Sequence, residues 1–227
     1  MEKRIARYGM VFSCSRGRQA ISYQRRTRWE GVSLRALRVD ALTGNLDWDV
    51  ELFRMESAQR IHRKNSHASP TPFLEDDRLY VHFGNQGTAC LSLAGQTIWK
   101  KRFEYPPVHG SGCSPVVEGD LLLFSADGAR DPALYALDKH TGKIRWRTPR
   151  DASSKKKFSF CTPIVIDVEG RRQIISPASD YVFAYDLSGK QIWKSHYPGG
   201  YSVVPRPLYA NGIVYVSSGY DRPVVYA

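Results

Sequence analysis

The sequence predicts an all-β fold of four-stranded antiparallel blades, that is, a β-propeller or a substantial part of one. Three observations predict it. A turn motif that leads to a tryptophan occurs four times, a proline-led pair of apolar runs recurs out of phase with it, and the 227 residues include 13 Tyr, 18 Gly and 13 Pro. No apolar run reaches the roughly 18 residues that a spanning helix needs, so we expect no such helix.

The turn motif is clearest as Ala-x-Asp-x-x-Thr-Gly-Lys-x-x-Trp, from Ala136 to Trp146. Its Asp is suited to accept hydrogen bonds from nearby backbone N–H groups, and its Gly supplies the positive φ that closes a bulged hairpin. The copies recur about every 50 residues, the length of one propeller blade. The motif residues are Asp40, Gly44 and Trp48; Gly95 and Trp99; Asp138, Thr141, Gly142 and Trp146; and Asp186, Gly189 and Trp193.

The third copy shows how each strand of a repeat is predicted. Pro115 opens the first strand, where no ladder donor is needed. A short turn leads to the second strand, a loop to the third, and the Asp–Gly turn to the fourth. The tryptophan of the fourth strand is expected to cover the seam to the neighbouring repeat, since a large ring buries much area there. The four predicted strands cover 115–117, 121–124, 133–137 and 143–147.

On these motifs the chain resembles the PQQ-like (pyrroloquinoline-quinone-type) β-propeller repeat family of the quinoprotein alcohol dehydrogenase-like superfamily. The resemblance runs from about Leu37 to Ala227 and is strongest to uncharacterised bacterial members. It is specific for fold and unspecific for function. The copies also depart from the pattern, because Ser92 stands where Asp is expected.

The chain is predicted to divide into an atypical basic segment, residues 1–36, and PQQ-like repeats over residues 37–227. Much of the formal net charge of +11 falls in the first segment. A phosphate- or lipid-binding arm, a damaged targeting sequence and a disordered or mis-framed start are the alternatives, and we favour the last. The near balance of charge elsewhere predicts no specific nucleic-acid partner. No intact signal peptide is evident, and the periplasmic or extracytoplasmic location is what the resemblance implies.

The blade count is expected to be incomplete. The chain is long enough for about four to five blades, whereas the resemblance implies a seven- or eight-bladed ring. The end of the sequence, 224–227, aligns with a third strand of the repeat. We therefore expect a fragment, or a partial propeller that a second chain completes, with open blade edges available for self-association.

For enzymatic members the resemblance implies a quinone in a central funnel, a calcium ion with carboxylate and amide ligands, and often a disulfide between adjacent cysteines. The four cysteines here are not adjacent and are interpreted as buried apolar residues. Asp127, Asp180 and Asp221 follow second strands in successive repeats and are the candidate cofactor ligands. The alternative is that they only make turns. No cofactor is predicted, and PQQ with calcium is the alternative.

Two histidines are the candidate metal ligands. His67 and His109 precede the proline motifs of adjacent repeats and could meet at a channel mouth. No ligand ring forms, however, because Phe158 and Tyr201 hold the matching places in later repeats. The favoured interpretation is that these histidines cap loops by hydrogen bonds, so no metal is predicted.

The leading functional interpretation is a non-catalytic scaffold that binds a protein or peptide through its loops or strand edges. No catalytic residue is assigned. The first alternative is a fragment of a PQQ-dependent quinoprotein oxidoreductase. The further alternative is a propeller that binds carbohydrate or another polymer, with stacking surfaces from Tyr201, Tyr209 and Tyr220.

Overall fold

The computed structural model describes residues 11–15, 18–26, 31–57, 59–151, 154–218 and 223–227, with the backbone alone given for the first two ranges. Every sheet in this part of the chain is antiparallel, and within each sheet the strands that are consecutive in sequence are hydrogen-bonded neighbours. The predicted all-β, four-stranded architecture is therefore confirmed. Within the same residues, no helix is both long and apolar enough to cross a membrane.

The chain divides into two compact units, and the first comprises residues 1–103 with 109–111. It contains two four-stranded sheets whose interiors hold Leu34, Phe53, Leu79 and Phe83. Because the strands follow one another in order, the fourth strand of each sheet is an edge. The strands are β1 (Val11–Ser15), β2 (Arg18–Arg26), β3 (Val32–Asp40), β4 (Leu46–Met55), β5 (Phe73–Glu75), β6 (Arg78–His82), β7 (Thr88–Ser92) and β8 (Thr97–Lys101).

The second unit comprises residues 104–108 and 112–227. Two of its sheets have four strands, and the third shows three in the described part of the chain. Leu123, Leu134 and Phe183 are among the buried residues of its core. The strands are β9 (Val116–Glu118), β10 (Leu121–Ala126), β11 (Ala133–Asp138), β12 (Ile144–Pro149), β13 (Ile164–Val168), β14 (Arg171–Pro177), β15 (Tyr181–Tyr185), β16 (Gln191–His196), β17 (Leu208–Ala210), β18 (Ile213–Ser218) and β19 (Val224–Tyr226).

The hairpin between the third and fourth strands has the same form in all four complete sheets. The pairing register shifts close to the motif turn in each of them, including the copy in which Ser92 replaces the Asp. A register shift of this kind is a β-bulge, which increases the local twist and bends the strand. The turn glycine has a positive φ between 70° and 86° in every copy, a conformation that a side chain would strain.

The position of the predicted boundary after residue 36 lies within β3, which pairs with β2 and β4 along its length. The structure thus places residues on both sides of this position in one strand. The interpretation of residues 1–36 as a separate segment stays a prediction.

Candidate functional site

The Asp of the turn motif organises its hairpin. Oδ1 of Asp138 accepts hydrogen bonds from the backbone N–H of His140 at 3.1 Å and from the N–H and Oγ1 of Thr141, both at 2.9 Å. Asp40 accepts the equivalent bonds in the first copy. In the last copy, whose turn is one residue shorter, Asp186 accepts hydrogen bonds from the backbone N–H groups of Ser188 and Lys190. These aspartates are committed to the turn.

Tryptophans of the motif pack on the turn of the following repeat. Nε1 of Trp146 donates to the carbonyl of Leu187 at 3.0 Å, and Nε1 of Trp48 donates to that of Leu93 at the same distance. A Cβ atom added at Gly189 would lie 2.6 Å from Cδ2 of Trp146. The glycine therefore supplies both the turn conformation and the space that the ring occupies. The other two tryptophans make different contacts. The ring of Trp99 packs near that of Tyr80, with centroids 6.5 Å apart, and Nε1 of Trp193 donates to Oε1 of Gln173 at 3.2 Å.

Asp127 lies in an interior ion pair. Its Oδ1 is 3.1 Å from Nε of Arg150, and both side chains have 0% exposure. The arginine also donates to the hydroxyls of Ser125 at 2.7 Å and Ser176 at 2.6 Å, and its guanidinium lies over the ring of Phe183. Burial raises the pKa of Asp127 to about 6, and the Arg150 charge opposes that rise. The carboxylate is thus engaged with protein, inside the second unit.

The cysteines described by the structure are buried thiols. Cys113 accepts a hydrogen bond from the N–H of Ser125 at 3.1 Å, and burial raises its pKa to about 12. Burial also raises the pKa of Cys161, whose thiol donates to the carbonyl of Pro205 at 3.1 Å. Such thiols are poor nucleophiles at neutral pH because little thiolate is present. The side chain of Cys14 lies outside the described residues.

Of the other two candidate cofactor ligands, the structure describes only Asp180. Asp180 has a φ of +61° and its carbonyl accepts a hydrogen bond from the N–H of Tyr197 at 2.9 Å, so its backbone forms a turn. Asp221 lies outside the described residues. Within the described part of the chain, no group of three or more His, Cys, Asp or Glu side chains could hold a metal ion. With Asp127 held by Arg150, the two candidates that the structure describes, Asp127 and Asp180, do not fit a calcium-bound quinone, and we derive no reaction step through one.

The two candidate metal-ligand histidines lie in different surroundings. His67 is buried, which lowers its pKa, whereas His109 is exposed with a φ of +63°. The imidazole ring that packs on His109 is that of His62, with centroids 5.3 Å apart. The carbonyl of His109 accepts from the N–H of His62 at 3.1 Å and from Nδ2 of Asn65 at 2.8 Å. His62 was not singled out from the sequence, because neither of the two repeat motifs includes it.

A basic cleft that the sequence did not predict lies between two edge strands of the first unit, β4 and β8. It has a volume of about 380 Å³. Nζ of Lys100 donates to the carbonyl of Leu52 at 3.0 Å, and the guanidinium of Arg102 donates to that of Arg54 at 2.8 Å. The only signal in the sequence is a run of three basic residues after Trp99. We call this the β4–β8 cleft, and its lining residues are Glu51, Leu52, Phe53, Arg54, Lys100, Lys101 and Arg102.

Comparison with known proteins identifies relatives of two kinds. A family profile described as the outer membrane protein assembly factor BamB matches residues 33–227. A lanthanide-dependent methanol dehydrogenase of Methylorubrum extorquens is 29% identical over 153 residues, which are 60% of this chain and 24% of the enzyme. The chain therefore spans about a quarter of that relative's length.

Solved structures show the same fold at low identity. BamB from Moraxella catarrhalis superposes with a TM-score of 0.62 and 19% identity, over 92% of this chain and 57% of that chain. A quinohemoprotein alcohol dehydrogenase from Comamonas testosteroni gives a TM-score of 0.58 and 14% identity, over 94% and 39%. The β-propeller class and the PQQ-like repeats are thereby confirmed, and the chain belongs to the family of the outer membrane protein assembly factor BamB.

Proposed function

We propose that this chain is a non-catalytic scaffold that binds extended protein segments along its exposed fourth strands. One repeated feature carries the proposal. Each of the four complete sheets places an aliphatic side chain at the start of its edge strand, close before the motif tryptophan, where it is 41% to 49% exposed. The four residues are Leu46, Ile98, Ile144 and Ile192.

An edge strand has unpaired backbone groups on one side, so it can pair with a strand from another chain. Main-chain pairing supplies affinity in such a complex, and exposed side chains on alternate positions supply selectivity. An aliphatic residue that recurs on the fourth strand of each complete sheet suits this mode better than scattered apolar residues would, since a single exposed apolar residue is ordinary. Family membership supports a protein partner, because the family is described as an outer membrane protein assembly factor. For the same reason we propose a periplasmic or extracytoplasmic location.

An array of extended peptides tests the scaffold. The chain should bind a subset of them, and the Ile144→Ser/Ile192→Ser double variant should bind about thirtyfold less tightly, since each substitution removes roughly 1 kcal/mol of binding free energy from apolar burial. Leu42→Ser/Val204→Ser is the matched control, because these aliphatic residues are exposed but lie outside the strands. Equal losses in both variants would contradict the proposal. Self-association through the same edges would appear as a mass that rises with protein concentration.

The enzymatic alternative is a piece of a quinoprotein oxidoreductase whose remaining part supplies cofactor ligands. The 29% identity to a methanol dehydrogenase favours it. If it holds, PQQ with calcium or a lanthanide should raise the melting temperature of a longer form of the protein that supplies those ligands, because a ligand stabilises the state that binds it. No shift is expected for the scaffold.

The carbohydrate alternative has less support from the described tyrosines. Nζ of Lys156 lies 3.6 Å from the ring centroid of Tyr201, and Phe158 packs on the same ring, so this ring is already in contact with protein. Tyr209 packs partly buried against a core cluster, and Tyr220 lies outside the described residues. Retention on an immobilised polysaccharide would favour this alternative over the scaffold.

A further inference from the structure

We infer that the β4–β8 cleft binds an acidic, extended peptide segment. This inference rests on the proposed scaffold function and names the chemistry of one of its partners. It is carried by the charge of the cleft, by the way its carbonyl groups are satisfied, and by its position between two edge strands.

The cleft is strongly basic. Among the described residues that line it, four are basic and one, Glu51, is acidic. That carboxylate is already engaged: Arg54 donates to its two oxygens at 3.1 and 2.9 Å, and Arg35 lies 3.3 Å away. The hydrogen bonds from Arg54 and Ser33 lower the pKa of Glu51, so it stays ionised and paired. The positive charge of the remaining lining is therefore not balanced within the cleft.

The carbonyl oxygens of the β4 edge at this point are covered. Lys100 and Arg102 from the β8 side donate to the carbonyls of Leu52 and Arg54. An ammonium has three N–H donors and a guanidinium has five, so each side chain keeps further donors after these bonds. An incoming chain thus meets hydrogen-bond donors and positive charge, which suit carboxylates.

An aromatic ring helps to fix the basic groups in place. The charged groups of Lys100 and Arg102 lie 5.9 and 5.5 Å from the ring centroid of Phe53, within the usual range of a cation–π contact. Gly87 allows this arrangement, because a Cβ there would lie 2.4 Å from the Phe53 ring. Preorganised donors lose less conformational entropy when a ligand binds.

The form of the cleft favours a peptide over other polyanions. Its walls are two edge strands, which an extended chain can follow, and its volume is in the range of small-ligand sites. Single-stranded nucleic acid would need exposed aromatic rings on which bases stack. Phe53 is only 5% exposed, so it offers no stacking surface.

Fluorescence polarisation with a labelled peptide of alternating Asp and Val, about eight residues long, tests the inference on the full chain. An Asn/Val peptide of the same length is the neutral control. The Lys100→Gln/Arg102→Gln variant should bind the acidic peptide about tenfold more weakly, since two charge-assisted contacts are lost. The matched control is Lys143→Gln/Lys190→Gln, which removes the same charge from exposed turns elsewhere. Melting temperatures verify that both variants are folded, and Lys101→Glu provides a third change at the cleft.

Tighter binding of the acidic peptide than of the neutral one, with a loss of affinity confined to the cleft variants, supports the inference. Equal losses in both double variants would show attraction by net charge alone and overturn it. If the neutral peptide binds and its affinity is unchanged by the cleft substitutions, the inference is overturned as well, while the scaffold proposal stays intact. If neither peptide binds, this inference fails, and the array of extended peptides decides the scaffold proposal separately. Cleft-dependent binding of polyphosphate or anionic vesicles without peptide binding would also overturn the inference.

Discussion

Replacing Gly189 by alanine should destabilise the second unit far more than the same replacement at Gly170. Both glycines have positive φ values, +86° and +77°. A new Cβ at Gly170 meets no atom within 4 Å, whereas at Gly189 it would lie 2.6 Å from Cδ2 of Trp146 and 2.9 Å from Oγ1 of Thr148. The pair of variants therefore separates the strain of the turn from the loss of tryptophan packing.

The magnitude follows from these contacts. The left-handed conformation costs alanine about 1–2 kcal/mol, and the reduced entropy of the unfolded chain returns up to about 1 kcal/mol. At Gly189 the ring must also move, which adds about 1–3 kcal/mol for overpacking and about 1 kcal/mol for the Trp146 hydrogen bond to Leu187. We expect a cost near 1 kcal/mol for Gly170→Ala and about 3–4 kcal/mol for Gly189→Ala.

Urea unfolding followed by circular dichroism and tryptophan fluorescence measures both costs. The first unit offers an independent repeat of the experiment. Gly95 would place a Cβ 2.9 Å from Trp48, whereas Gly44 has open space and a φ of +71°. If the alanine variants at the packed and open glycines lose equal stability in both units, the tryptophan contact does not stabilise the repeats and the reasoning is refuted.

Three further predictions concern buried and exposed polar groups. Burial lowers the pKa of His82 to about 3, so below pH 6.5 the unfolded state binds a proton that the folded state does not. The free energy of unfolding should therefore fall as pH drops from about 6.5 towards 3, by up to roughly 1.4 kcal/mol per pH unit. In His82→Gln, the free energy of unfolding measured over the same pH range should fall less steeply. Asp127→Asn should cost about 3–5 kcal/mol because Arg150 stays buried without its counter-charge, while the Asp127→Leu/Arg150→Met double variant should cost less than either single change in a double-mutant cycle. Arg172→Ala, which breaks an exposed pair with Glu118, should change the unfolding free energy by about 1 kcal/mol or less, and a larger loss would contradict the solvent screening assumed here.

The strands could be predicted because their determinants are local. The predicted second strand, 121–124, and third strand, 133–137, lie within the observed β10 and β11. Turn chemistry is also local: Asp138 bonds residues two and three positions on, which a linear pattern reveals. The observed strands run a little further than predicted, since pairing with a neighbour continues past the apolar core.

The sites could not be predicted in the same way, because they join residues distant in sequence. Asp127 was singled out as a ligand, but its partner Arg150 is 23 positions away, after the two strands β11 and β12, and no motif marks it. The β4–β8 cleft likewise brings Arg54 close to Arg102 across two sheets. From the sequence alone, a run of charged residues indicates only that these residues are exposed to solvent. Which carbonyls they cover depends on how the sheets pack.

Hydrogen–deuterium exchange of the full chain, with and without the acidic peptide, tests the central claim most directly. The claim is that this family member binds extended segments on its fourth strands, with the β4–β8 cleft as an acidic-peptide site. Binding should slow amide exchange at 51–54 and 97–102, the segments that line the cleft which the peptide would cover. Protection confined to the loops around Asp127 and Asp180, or protection by PQQ with a metal ion in place of the peptide, would contradict it.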